Sequence, residues 1–172
     1  KIGGAGPSQI IPWGISKIHA DEVWALTAAD TVKVAVIDTG IELSHPDLKI
    51  NIKGGYNAIR PGRSPNDDNG HGTHVAGIIG AVNNSIGVIG VAPAVDLYAV
   101  KSLNKNGSGF LSDIIEGIDW AIQNKMQVIN MSLGTRSDIQ SFHDAVIRAN
   151  NAGIVVVAAA GLRVRAAHVE AA

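Results

Sequence analysis

Three places in this chain carry residues with chemistry to offer. Asp38 closes the apolar run Val32-Lys33-Val34-Ala35-Val36-Ile37. His71 stands between Gly70 and Gly72, ahead of the small apolar stretch from Thr73 to Val82. Ser132-Leu133-Gly134 follows Val128-Ile129-Asn130-Met131. An imidazole titrates near neutrality, so it can take a proton and return it. A carboxylate bonded to one ring nitrogen fixes the tautomer and stabilises the imidazolium, and the other nitrogen is then free to deprotonate a hydroxyl. The flanking glycines let backbone pass close to whatever the imidazole touches. Taken singly these are weak signals. A His between two Gly is often only a turn residue, and an Asp after a strand is often only a cap.

What joins them is the order of elements. The run ending at Asp38 is short and nearly continuous in apolar residues, the form of a parallel strand buried on both faces. Asn51 to Asn57, Asp96 to Ser102, Val128 to Met131 and Ile154 to Ala159 read as further strands. Between them, Thr73 to Val82, Leu111 to Asn124 and Ile139 to Ala152 read as helices, the last closed by Gly153. Pro12-Trp13-Gly14 reads as a turn and a helix is expected from about Ala20 to Leu26. Strands alternating with helices predict an α/β fold, a parallel sheet with helices on both faces. The carboxyl ends of the strands are then the ligand-binding edge, and Asp38, His71 and Ser132 all fall there. Extended backbone at Ser132-Leu133-Gly134 could pair with a peptide by strand addition.

The 172 residues suit one domain with a substantial core, since 46% are hydrophobic and 17% charged. A net charge of -1 gives no reason to expect nucleic acid or an anionic membrane as partner, and no apolar run is long enough to span a bilayer. Without Cys there is no disulfide, thiolate zinc site or cysteine nucleophile.

Val34-Ala35-Val36-Ile37-Asp38-Thr39-Gly40, Asn69-Gly70-His71-Gly72-Thr73-His74-Val75-Ala76-Gly77 and Val128-Ile129-Asn130-Met131-Ser132-Leu133-Gly134 together resemble the Asp, His and substrate-strand motifs of subtilisin-like serine proteases. The likeness runs from about Gln9 to Gly161. It implies an endopeptidase in which Asp38 orients His71 and His71 is the general base. It implies a cleft with Ser132, Leu133 and Gly134 on one side of the substrate strand and Gly107 to Gly109, with Leu111, on the other. It also implies a structural calcium ion held by Gln9, Asp47, Asn84 and the carbonyls of Val82, Ile86 and Val88, all oxygen donors of the kind calcium takes. Without the likeness, Asn83-Asn84 would read as a surface turn. Peptide or protein substrates, and a pro-segment or a complementary portion of the domain, are the implied partners. Export from the cell is implied too. The N-terminus shows no signal-peptide pattern, so an exported protein would have lost its targeting segment, and an intracellular location stays open.

Two departures stand out. After the strand at 154–159 the family has Ala-Gly-Asn, whose Asn donates to the oxyanion, whereas here Ala160-Gly161 is followed by Leu162. Losing such a donor costs about 10²–10³ in turnover, a figure that itself comes from a subtilisin. No Gly-Thr-Ser-Met-type nucleophile motif occurs, and residues 162–172 match nothing in the family. The expectation is therefore a truncated peptidase domain over 1–161 followed by an unrelated tail, inactive alone. Three other readings compete. A non-catalytic peptide-binding module would leave the Asp38–His71 pair idle. Zinc at His71 and His74 lacks a local third ligand, and His74 is expected to pack at the helix base. Dinucleotide binding lacks the Gly-x-Gly-x-x-Gly fingerprint.

Overall fold

The computed structural model describes residues 8–134 and 139–159. Its centre is a five-stranded sheet, parallel throughout, in the order β2-β3-β1-β4-β5. The strands are β1 (Lys33–Asp38), β2 (Ile52–Asn57), β3 (Asp96–Lys101), β4 (Val128–Met131) and β5 (Val155–Ala158). Four helices accompany them: α1 (Trp13–Lys17), α2 (His71–Gly80), α3 (Leu111–Gln123) and α4 (Gln140–Asn151).

Side chains on a strand alternate between faces, and β1 shows both faces covered. Val34 and Val36 join one apolar cluster with Ala76 of α2, while Ala35 and Ile37 join another with Ile118 of α3 and Val146 of α4. The expected α/β architecture with helices on both faces is therefore the one observed. α2 lies flat on the sheet because the residues it turns inward, Gly72, Ala76 and Gly80, are small and four apart. At Gly72 no larger residue fits: a Cβ there would stand 2.1 Å from the Gly40 carbonyl oxygen.

The N-terminal stretch departs from expectation. Helix starts earlier, at Trp13, directly after Pro12 in extended conformation (φ −60°, ψ 144°). His19 then adopts φ 58°, and only a three-residue 3-10 turn, Ala20–Glu22, follows in place of a helix to Leu26. Ala160, Gly161, Leu162 and the tail fall outside the described residues. None of the helices among the described residues is long and apolar enough to cross a membrane.

Candidate active site

Asp38 is the last residue of β1 and is fully buried. His71 is the first residue of α2. The chain enters that helix through Gly70 at φ +108°, a conformation that favours glycine. The geometry brings the imidazole down onto the strand end: His71 Nδ1 lies 2.8 Å from Asp38 Oδ1 and 2.9 Å from Oδ2. An ionised carboxylate only accepts, so the contact puts a proton on Nδ1, and in the neutral ring Nε2 then carries the lone pair. Asp38 Oδ1 also accepts from the Thr39 amide at 2.7 Å, which limits rotation of the carboxylate. The His71 side chain is 48% exposed, so a buried acid backs an accessible base.

A second carboxylate braces the arrangement. Asp67 accepts from the Thr39 hydroxyl at 2.8 Å, from the Thr73 hydroxyl at 2.6 Å and amide at 3.0 Å, and from the Asn69 amide at 2.9 Å. Thr39 Oγ1 in turn accepts from the Gly72 amide at 2.9 Å. Partial burial pushes the Asp67 carboxyl up, but hydrogen bonds from Thr73, the Gly70 and Asn69 amides and Thr39 outweigh it and hold the group at about 2. The residue after the acid and the first turn of the helix that carries the base are thus fastened to one anion.

Beside His71 lies a cleft of about 490 Å³ lined by Thr39, Asn69, Leu103, Gly107, Gly109 and Ser132-Leu133-Gly134 among others. The expected wall residues Ser132, Leu133, Gly134, Gly107 and Gly109 are brought together there with His71. Leu111 is not on that lining; it opens α3 and packs against the core cluster under the sheet. A larger groove of about 1140 Å³, bounded by Trp13, Leu48, His74 and Ile78, contains neither Asp38 nor His71. His74 is exposed along that groove instead of packed at the helix base, because the inward positions of α2 fall on Gly72 and Ala76. Among the described residues no three His, Asp or Glu side chains gather to hold a metal, so zinc at His71 and His74 finds no completing ligand.

The residues expected around calcium converge from three segments. The Gln9 side-chain nitrogen donates to the carbonyls of Val82 at 2.8 Å and Val88 at 3.0 Å and to Asn84 Oδ1 at 3.3 Å. Asp47, 5% exposed, accepts from Asn84 Nδ2 at 3.2 Å and from the Val88 amide at 3.1 Å. Ile86 sits within the same turn, its amide donating to Asn84 Oδ1 at 2.8 Å. An amide nitrogen has two hydrogens to share among those three oxygens. Among the described residues no basic side chain pairs with the buried Asp47 carboxylate. A donor set of amide and carboxylate oxygens that is short of positive charge suits a hard cation.

Thr39, Asp67, Asp68, Asn69, Thr73 and Lys101 were not singled out from the sequence. The signals were present: an Asp67-Asp68 pair just ahead of the histidine, and a lysine after the run Leu97-Tyr98-Ala99-Val100.

Comparison with known proteins bears on this geometry. A family model described as the Subtilase family matches residues 29–169, a span that runs past Gly161. The thermostable alkaline protease of Halalkalibacterium halodurans is 56% identical over 155 residues, which is 90% of this chain and 42% of the relative. Subtilisin Savinase of Lederbergia lenta is 51% identical over 156 residues, 90% of this chain and 56% of its own. The minor extracellular protease Epr of Bacillus subtilis is 50% identical over 150 residues, 87% of this chain and 23% of its own. The chain thus spans about half or less of the length of these curated relatives.

Proposed function

The chain belongs to the subtilase family, and from that premise we propose that it contributes the acid and the base of a serine endopeptidase. The observation that carries the reading is the contact of His71 Nδ1 with both Asp38 oxygens beside an open cleft. In this mechanism His71 Nε2 takes the proton of a serine hydroxyl as its oxygen attacks the peptide carbonyl. The imidazolium, stabilised by Asp38, then gives that proton to the departing amine as the C–N bond breaks. Water repeats the sequence on the acyl-serine and frees the acid. No serine of these 172 residues stands in the family's nucleophile motif, so in this reading the nucleophile is a serine outside them. Ser132 has a different part: with Leu133 and Gly134 it offers backbone to an extended peptide, and Gly107 and Gly109 face it across the cleft.

Calcium is the cofactor of this reading, held by Gln9, Asp47, Asn84 and the carbonyls of Val82, Ile86 and Val88. Its charge would neutralise Asp47 and fasten the 82–88 turn to the N-terminal segment. Peptides and proteins are the substrates, and the site of action is outside the cell, in keeping with the word extracellular in the name of the Bacillus subtilis relative.

The test joins these residues to the portion of Subtilisin Savinase that they do not match and assays peptide hydrolysis. The chimera should cleave, and its serine should react with a fluorophosphonate. His71→Ala should lower turnover at least about a hundredfold, as loss of a general base does. The 172 residues alone should neither turn over peptide nor take the label. Label on one of their own serines would overturn the assignment of the nucleophile.

A further inference from the structure

We propose that Lys101 is a positioning residue for the Asp38–His71 pair, tying the strand end that carries the acid to the loop that delivers the base. The inference rests on the acid–base reading above and deepens it.

Lys101 ends β3 directly opposite Asp38 in the register of β1 with β3. It is 7% exposed. Its ammonium donates to the Thr39 carbonyl at 2.6 Å, to Asp68 Oδ1 at 2.6 Å and to the Leu103 carbonyl at 3.1 Å. Three N–H groups therefore have three acceptors, the condition under which a buried ammonium is tolerated. Packing alone gives no reason for a cation here, because the positions before it on β3, Ala99 and Val100, are apolar and fully buried.

What the three acceptors have in common is their place around the dyad. Thr39 follows Asp38. Asp68 lies three residues ahead of His71. Leu103 lines the cleft, and its amide donates to the Asp38 carbonyl at 3.0 Å. Asp67 and Asp68 grip the same strand end by different routes, Asp67 through the Thr39 hydroxyl and Asp68 through Lys101 to the Thr39 carbonyl. The Nδ1 contacts with Asp38 are near their optimum length, and hydrogen bonds weaken steeply as geometry degrades. Without Lys101 the 68–71 loop loses its charged anchor on β1 and β3, and the imidazole gains freedom to leave the carboxylate.

The experiment reads the His71 Nδ1 proton by NMR in the 172-residue chain, where a strong bond to Asp38 gives a downfield resonance protected from exchange. Lys101→Met should lose that resonance while the amide signals of α3, α4, β4 and β5 stay in place. Asp68→Ala, which removes the charged acceptor at a side chain 55% exposed, should broaden it. Phe142→Leu, which loosens the core at α4, should leave it sharp, which separates positioning from a general loss of stability. If Lys101→Met does not fold, Asp68→Ala decides. A resonance present in the unaltered chain and unchanged in the variants that fold overturns this inference alone. No such resonance in the unaltered chain overturns the acid–base reading and this inference with it.

Discussion

The strand edge around Asp38 and the turn around Asn84 are built alike but balanced differently. Each gathers segments distant in sequence onto a buried carboxylate. At the strand edge, Asp38 meets an imidazole, Asp67 meets two hydroxyls and two amides, and Asp68 meets a lysine. The cation there, Lys101, belongs to the chain itself. At the turn, the Asp47 carboxylate meets, among the described residues, an amide nitrogen and a backbone N–H, while oxygens of Val82, Asn84 and Val88 crowd one glutamine nitrogen. Among the described residues no cation pairs with that carboxylate. The first region is preorganised, as an acid–base pair must be to lower a barrier. The second, in the reading proposed above, is completed by a cation.

The sharpest break of the first region is steric. Gly72→Ala places a Cβ 2.1 Å from the Gly40 carbonyl oxygen and 3.1 Å from Asp38 Cβ, at and just past the end of β1. Backbone has to move, so the first turn of α2 should lift away from the strand and carry His71 with it. Overpacking of this kind costs about 1–3 kcal/mol. Urea unfolding should show that loss, and calcium affinity, read on the other region, should stay the same.

Calcium should act on the second region alone. A ligand at a hundred times its dissociation constant stabilises the folded chain by about 2.7 kcal/mol. Thermal melts with calcium and with a chelator should differ accordingly, and Asp47→Asn should remove most of the difference by withdrawing the only charged ligand. Equal melting in both conditions for the unaltered chain would mean that the turn is complete without a metal.

How much of this could be read from the residues depends on the range over which their partners lie. β1 was legible because a strand buried on both faces needs an unbroken apolar run, and Asp38 stands out at its end. α2 and α3 were legible from small or branched apolar residues at helical spacing. α1 was not, because its limits come from Pro12 and from His19 at positive φ, a conformation that a histidine does not advertise. His74 was misplaced for a related reason: which flank of α2 faces the sheet follows from how closely Gly72 approaches Gly40. Lys101 and Asp68 escaped notice because a lysine after an apolar strand reads as a residue turning to solvent. Its burial depends on Asp68, 33 positions earlier in the chain. The convergence of Gln9 and Asn84, 75 positions apart, came from the family likeness and not from local pattern.

The mildest test separates the two regions by pH. Asp67 is held at about 2, below its ordinary 3.8, by hydrogen bonds made only in the folded chain. Between these values the unfolded chain binds a proton that the folded chain refuses, so stability rises with pH across that window. The contribution is fully present above about pH 4 and is lost as pH falls through about 2. Asp67→Asn keeps an acceptor oxygen but removes the charge, and its added N–H group meets the hydroxyls and amides that Asp67 faces. The gap in unfolding free energy between the unaltered chain and Asp67→Asn should therefore be widest above pH 4 and should close on the way to pH 2. Screening by solvent keeps the gap modest at a site this open. Denaturant melts in steps from pH 5 to pH 2, all with chelator present, would measure it. A gap that stays constant across the window would mean that the Thr39 and Thr73 contacts act through shape and not through the charge of Asp67. The brace between strand end and helix would then be neutral in character, closer to the amide contacts around Gln9 than to the ionic contacts of Lys101.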